Sequence, residues 1–129
     1  MSSALALMIA MSSFHAVPVE SNHDGDNVRV VLPDLPEVFT RMSVRVSGID
    51  TPETDADRKC ERRDAKKARA LVSNIVTGQL VDLNFCQLEK YGRLLCAVKV
   101  GDVDLGNYML ESGYAVPYSG GTKMKWKCK

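Results

Sequence analysis

Apolar residues in this chain mostly alternate with polar ones in short runs, and they take up a helical period in only two places. Met42, Val44 and Val46 fall on every second position of the stretch 42–49, so Ser43, Arg45 and Ser47 point to the other face of a strand. Gly48 marks a bend or bulge in it. Ala16–Val19, Val28–Leu32, Val81–Phe85 and Leu94–Val100 read as further strands. Pro18 has no N–H to give a ladder and therefore suits an edge position. The stretch 22–27 and the run Pro33-Asp34-Leu35-Pro36 are turn signals. Ala65, Ala68, Val72 and Ile75 make one apolar stripe at helical spacing, which predicts a helix from about Arg58 to Val76. Thr54, Asp55 and Asp57 are candidate caps at its start, and Gly78 suits the position just past its end. A shorter helix is expected from Asp104 to Ser112, closed by Gly113. Strands, a helix, two more strands and a short helix make the fold class α+β and mainly β. Such a set of short strands suits a small closed β-barrel with helices packed outside it.

A length of 129 residues is one domain's worth of chain. The fractions of hydrophobic (45%) and charged (26%) residues exclude a disordered chain and a polytopic membrane protein. A net charge of +1 excludes a uniformly basic nucleic-acid coat and leaves room for a local basic patch. Seven basic residues between Arg58 and Arg69, against Glu61 and Asp64, read first as a solvated helix face; a nucleic-acid rim is the sharper alternative. The Lys-rich tail from Lys123 carries the same two readings. Residues 4–11 are wholly apolar, with Ser12, Ser13 and Ala16 following, like the core and exit of a secretory signal, although no Lys or Arg precedes them. The run is too short to cross a bilayer, which takes about 20 apolar residues. These features divide the chain into a signal-like segment, 1–13, and a folded domain, 14–129, with a secreted or periplasmic location expected and a cytoplasmic one as the alternative.

The four cysteines lack the spacing of a zinc site. Cys86 and Cys96 lie symmetrically about Tyr91 on the two arms of a hairpin, where a disulfide would join them; that leaves Cys60 for Cys128. Four reduced thiols are the competing reading. His15 and His23 carry no specific signal.

Three acids, Asp26, Asp50 and Glu53, sit at strand ends, with Arg45 and Arg93 on strands nearby. This is the residue set that phosphodiester hydrolysis uses. A hard divalent cation takes carboxylate oxygens, which Asp26 and Asp50 supply. A further carboxylate, Glu53, can take the proton of an attacking water. Guanidinium groups are permanently charged planar donors that can clamp the phosphoryl oxygens as charge grows on them. Singly, each fragment reads as an ordinary turn, cap or cross-strand pair; their joint occurrence in this order carries the signal.

The chain resembles the thermonuclease family, the staphylococcal-nuclease-like domains. The resemblance runs over about residues 16–118. It is carried by His23-Asp24-Gly25-Asp26-Asn27-Val28, by Val44-Arg45-Val46-Ser47-Gly48-Ile49-Asp50-Thr51-Pro52-Glu53, by Glu89-Lys90-Tyr91-Gly92-Arg93-Leu94, and more loosely by Val103 to Ala115. It implies an OB-type five-stranded barrel with outer helices and Ca2+-dependent cleavage of DNA and RNA to 3′-phosphate ends. Asp26 and Asp50 fall on the family's calcium ligands, with the Thr51 carbonyl beside them. Glu53 falls on the proposed general base, and Arg45 and Arg93 on the phosphate-binding arginines. Lys90 and Tyr91 fall near a bound terminal phosphate, and Tyr118 is a candidate for stacking a base. Asn27 departs from the family's usual Thr. The hairpin between Val28 and Arg45 is longer than in the prototype. A Ser119-Gly120-Gly121-Thr122 turn stands in place of a third long helix. A monomeric enzyme is expected. The alternative is an OB-barrel module that binds nucleic acid or protein without cutting, which the intact acids argue against.

Overall fold

The computed structural model describes residues 12–32, 35–37, 40–90 and 92–129. Pro33, Asp34 and the segment 1–11 with its signal-like pattern lie outside them. The elements are β1 (Ser12–Ser21), β2 (Asn27–Val31), β3 (Arg41–Val46), β4 (Ile49–Asp50), α1 (Lys59–Val76), β5 (Leu80–Leu88), β6 (Leu94–Val100), β7 (Val103–Asp104), α2 (Leu105–Ser112) and β8 (Val116–Pro117). Among the described residues no helix is long and apolar enough to cross a membrane.

Period-two patterning builds the barrel. Met42, Val44 and Val46 on β3 are buried with Val28 and Val30 on β2, Val81 and Leu83 on β5, and Leu94, Cys96 and Val98 on β6. They form a single apolar cluster, to which α1 adds Ala68, Val72 and Val76 and α2 adds Leu105 and Met109. The strand order is β3-β2-β1-β5-β6-β7. Parallel pairing of Val44 with Leu94, Arg45 with Leu95 and Val46 with Cys96 joins β3 to β6 and closes five strands into a barrel. The architecture is thus the OB-type, mainly β fold with outer helices.

Pro18 does not sit on an edge strand. β1 lies between β2 and β5, but each half of it is paired on one side: Ser12 to Pro18 pair with β5, and Val19 and Ser21 with β2. Pro18 stands at the changeover, where one missing N–H is tolerated for the same reason as at an edge. The expected caps of α1 also differ. Its N-cap is Arg58, with no side-chain cap. Arg62 Nη1 instead reaches back to donate to the carbonyls of Ala56 and Asp57, at 2.8 and 2.7 Å, and so fixes the loop leading into the helix. The shorter helix keeps the expected ends: the Asp104 side chain accepts from Asn107 N–H, and Gly113 takes the left-handed C-cap with φ +81°.

Both disulfides are present, Cys86–Cys96 and Cys60–Cys128. The first depends on a bulge. Asn84 pairs with Ala97 and Gln87 with Leu95, so Phe85 and Cys86 together face Cys96. Phe85 absorbs the extra residue with φ +55° and turns out to solvent, 80% exposed, while Cys86 turns inward. One glycine is required by close approach. A Cβ on Gly25 would lie 2.8 Å from Ala68 Cβ, so the 22–27 turn can rest on α1 only with glycine there. That contact seats Asp26.

Candidate active site

β3 delivers Arg45 on the face opposite Val44 and Val46, as the alternation predicts. At Arg45 that face is nevertheless buried, whereas Arg41 on the same face is exposed, because the chain around Ile49 and Tyr118 covers Arg45. Arg45 Nη2 donates to the Ile49 carbonyl at 3.1 Å, and the guanidinium sits 5.6 Å from the centre of the Tyr118 ring. β8 pairs with β4 through Ile49–Pro117 and Asp50–Val116, and Tyr118 N–H donates to the Gly48 carbonyl at 2.9 Å; these bonds bring Tyr118 to the site.

Two carboxylates from separate stretches converge on that guanidinium. Arg45 Nη1 lies 2.6 Å from Asp26 Oδ2, and Nη2 lies 3.6 Å from Asp50 Oδ1. Asp26, Arg45 and Asp50 are 7%, 6% and 8% exposed. Asp26 is held in place from several sides. Its carbonyl accepts Val46 N–H at 2.8 Å, and Oδ2 accepts Thr51 N–H at 3.4 Å. The preceding turn is closed by Asn27, whose Oδ1 accepts the N–H groups of His23 and Asp24 at 3.0 and 3.2 Å. Asn27, the departure from the family's usual Thr, is therefore the residue that shapes the acidic turn. Asp24 Oδ1 accepts Thr54 N–H at 3.1 Å and ties that turn to the 50–54 loop.

Thr51 Oγ1 is buried without a hydrogen-bond partner, while Asp50 Oδ1 is met only by the charged groups of Arg45 and Lys123. A buried oxygen without a partner is costly unless something polar or charged meets it. The donors gathered here, two carboxylates and the Thr51 oxygens, are of the hard oxygen type that suits a divalent cation such as Ca2+. Among the described residues no three His, Cys, Asp or Glu side chains form a finished cage. Glu53 stands further out, half exposed, with its Oε1 3.5 Å from Lys123 Nζ and its N–H donating to Glu61 Oε2 at 3.1 Å.

Arg93, on the β5–β6 turn, shares a cleft with Arg45, whereas Asp50, Thr51 and Glu53 line an adjoining pocket with Lys123. The cleft, of about 660 Å³, is lined by Arg45, Arg93, Tyr118, Lys123 and Glu89 among others. Arg93 Nε is paired with Glu89 Oε1 at 2.7 Å, so this arginine enters the cleft neutralised by a local carboxylate. Lys90 lies exposed on the same turn. Tyr91 lies outside the described residues.

The tail is fixed rather than loose. Asp64, which the charge pattern assigns to a solvated helix face, is fully buried. It accepts Trp126 Nε1–H at 3.0 Å and Lys129 N–H at 2.8 Å. Arg58 donates to the Trp126 carbonyl at 2.6 Å and to Glu61 Oε1 at 3.0 Å, while Arg63 donates to the Lys129 carbonyl at 2.8 Å. Two of the seven basic residues, Arg58 and Arg63, thus anchor the tail, while Lys59, Lys66, Lys67 and Arg69 lie exposed as a solvated face. The tail in turn brings Lys123 Nζ to 3.2 Å from Asp50 Oδ1. Burial works against the Lys123 ammonium, but the charge of Asp50, a hydrogen bond to it and the charge of Asp26 together outweigh burial and the repulsion from Arg45 and raise its pKa, so Lys123 is charged at neutral pH. The alternation of Lys with Met, Trp and Cys after Thr122 held the signal: if Trp126 and Cys128 face the protein, their neighbours do not pack with them.

Asp64 makes the tail acid-sensitive. Burial raises its pKa, but the bonds from Lys129 and Trp126 and the charge of Arg63 prevail and hold it below the ordinary value. A depressed carboxylate stabilises the fold above its unfolded pKa, about 3.9, and that contribution is lost as pH falls through the lower folded value. Trp126 is the single tryptophan, so its emission should shift to the red as the tail is released below about pH 4. Asp64→Asn should remove that step; an unchanged acid transition in the variant would exclude Asp64 as its origin.

Residues 43–127 match the family described as staphylococcal nuclease homologue. Comparison with curated proteins gives no match. The matched stretch contains Arg45, Asp50, Thr51, Glu53, Arg93 and Tyr118, and the fold adds Asp26 to them from outside it. With more than half of the sequence matched and the barrel closed by β3 and β6, the chain belongs to the staphylococcal nuclease homologue family, whose members are generally nucleases.

Proposed function

We propose that the protein is a Ca2+-dependent nuclease that hydrolyses phosphodiester bonds in DNA and RNA with little sequence preference. The observation that carries this reading is the convergence of Asp26 and Asp50, from separate stretches, on Arg45, which itself lines a cleft that also takes in Arg93 and Tyr118. Asp26, Asp50 and the Thr51 carbonyl would hold the cation, which when bound supplies Lewis-acid polarisation of a phosphate oxygen. Glu53 is half exposed at the rim, where its carboxylate can take the proton of a water. Arg45 and Arg93 donate to the phosphoryl oxygens; for Arg93 this means exchanging Glu89 for substrate. Tyr118 offers a ring for stacking, and Lys90 and Tyr91 are assigned to the substrate phosphate by family resemblance. The reading takes 14–129 as one monomeric domain. The two disulfides favour an oxidising, secreted or periplasmic setting.

The test is digestion of plasmid DNA and of RNA with calcium and again with a chelator. Both substrates should be degraded with calcium and remain intact with the chelator. Binding of single strands without cleavage under any divalent ion would replace the enzyme with a binding module.

A further inference from the structure

Two cations face Asp50, and they differ in kind. Arg45 is buried and held by Asp26, Ile49 and the Tyr118 ring. Lys123 comes from the tail, is 43% exposed, and bridges the carboxylates of Asp50 and Glu53 at 3.2 and 3.5 Å. Lys123 meets Asp50 Oδ1 at hydrogen-bonding distance from a side chain partly open to water, whereas the Arg45 side chain is closed off from it. The Lys123 pair is readily exchanged for a stronger cation.

The placement of Lys123 is built in on both sides. Gly120 and Gly121, with φ +104° and +81°, reverse the chain, and the Tyr118 hydroxyl donates to the Gly121 carbonyl at 2.6 Å. Three residues on, Trp126 is bonded to buried Asp64, and Cys128 is covalently tied to Cys60 on α1. The ammonium also lies 5.9 Å from the centre of the Tyr118 ring, a second attraction toward the same position.

We infer that Lys123 is a positioning residue that sets the divalent-cation affinity of the cleft: a tethered counter-ion, delivered by the disulfide-anchored tail, that an incoming cation displaces from Asp50 and Glu53. The inference rests on the nuclease reading above. A divalent ion on the Asp50 oxygens and an ammonium on one of them repel each other, so their occupancies compete. The protein without cation keeps its acids neutralised, and cation binding carries the cost of moving Lys123.

Calcium titrated calorimetrically into the full-length, disulfide-intact chain without nucleic acid tests this. Lys123→Gln should bind calcium about tenfold more tightly than the unsubstituted protein, and Lys123→Arg should restore the weaker binding. Equal or weaker binding by Lys123→Gln, with binding by the unsubstituted protein abolished in Asp50→Asn, would overturn the role of Lys123 and leave the metal reading intact. No calcium uptake by the unsubstituted protein or by Lys123→Gln would remove both.

Discussion

Arg45→Met is expected to weaken folding by about 3–5 kcal/mol and cleavage by about a hundred- to a thousandfold. The stability loss follows from burial. Arg45 stands between two carboxylates, with its side chain 7% exposed and that of Asp26 10% exposed. Removing the guanidinium leaves two like charges close together, away from water and without their shared partner. The loss of activity follows from the proposed clamp on phosphate. Glu53→Gln separates the two effects. Its side chain is 50% exposed. The substitution should therefore change stability by less than about 0.5 kcal/mol, while cleavage falls about a hundredfold or more with the general base gone. Urea unfolding gives the stabilities, and digestion rates on samples shown folded by circular dichroism give the activities. Wild-type turnover in Glu53→Gln would refute its role as base. A stable Arg45→Met would show that Asp26 and Asp50 do not depend on it.

Replacing both Cys60 and Cys128 with alanine is expected to remove about 4 kcal/mol, more than the roughly 3 kcal/mol for Cys86 and Cys96. The reason lies in the unfolded chain. The first bridge joins residues 68 apart in sequence and the second residues 10 apart, and the longer loop restricts the denatured ensemble more. The first bridge also fastens the strap that carries Trp126 and Lys123, so its loss should expose the tail lysines to trypsin while the barrel persists. Urea midpoints under non-reducing conditions measure the first effect and limited proteolysis the second. An unchanged midpoint would mean that Asp64 and Trp126 hold the tail unaided.

The elements were legible wherever a short period carried the information. The alternation through Met42, Val44 and Val46 marks β3, and the stripe Ala65, Ala68, Val72 and Ile75 marks the inner face of α1, although at its end Val76 is buried and Ile75 only partly so. Strand ends were less legible. The expected first strand, Ala16–Val19, is only the middle of β1, because its bulges break the alternation. The acids and arginines of the site were visible as residue types and spacings. Their pairings were not. The alternation puts Arg45 off the apolar face, but whether water or protein covers it there depends on β8 returning to β4. Arg93 reads as a phosphate ligand from its motif, yet its immediate partner is Glu89, four residues back.

By itself, then, the sequence determined the alternation that closes a barrel, the helix stripe, the cysteine arms of the hairpin and the inventory of oxygen and guanidinium groups. These depend on neighbours within a few residues, where backbone geometry alone relates one side chain to the next. Tertiary contacts alone make Asp64 a buried anchor, cover Arg45 with the strand that returns to β4, and bring Lys123 to Asp50 and Glu53. Each depends on which side chains long-range packing brings within a few ångströms. A charge has no preferred partner until the fold supplies one and excludes the water that would otherwise solvate it.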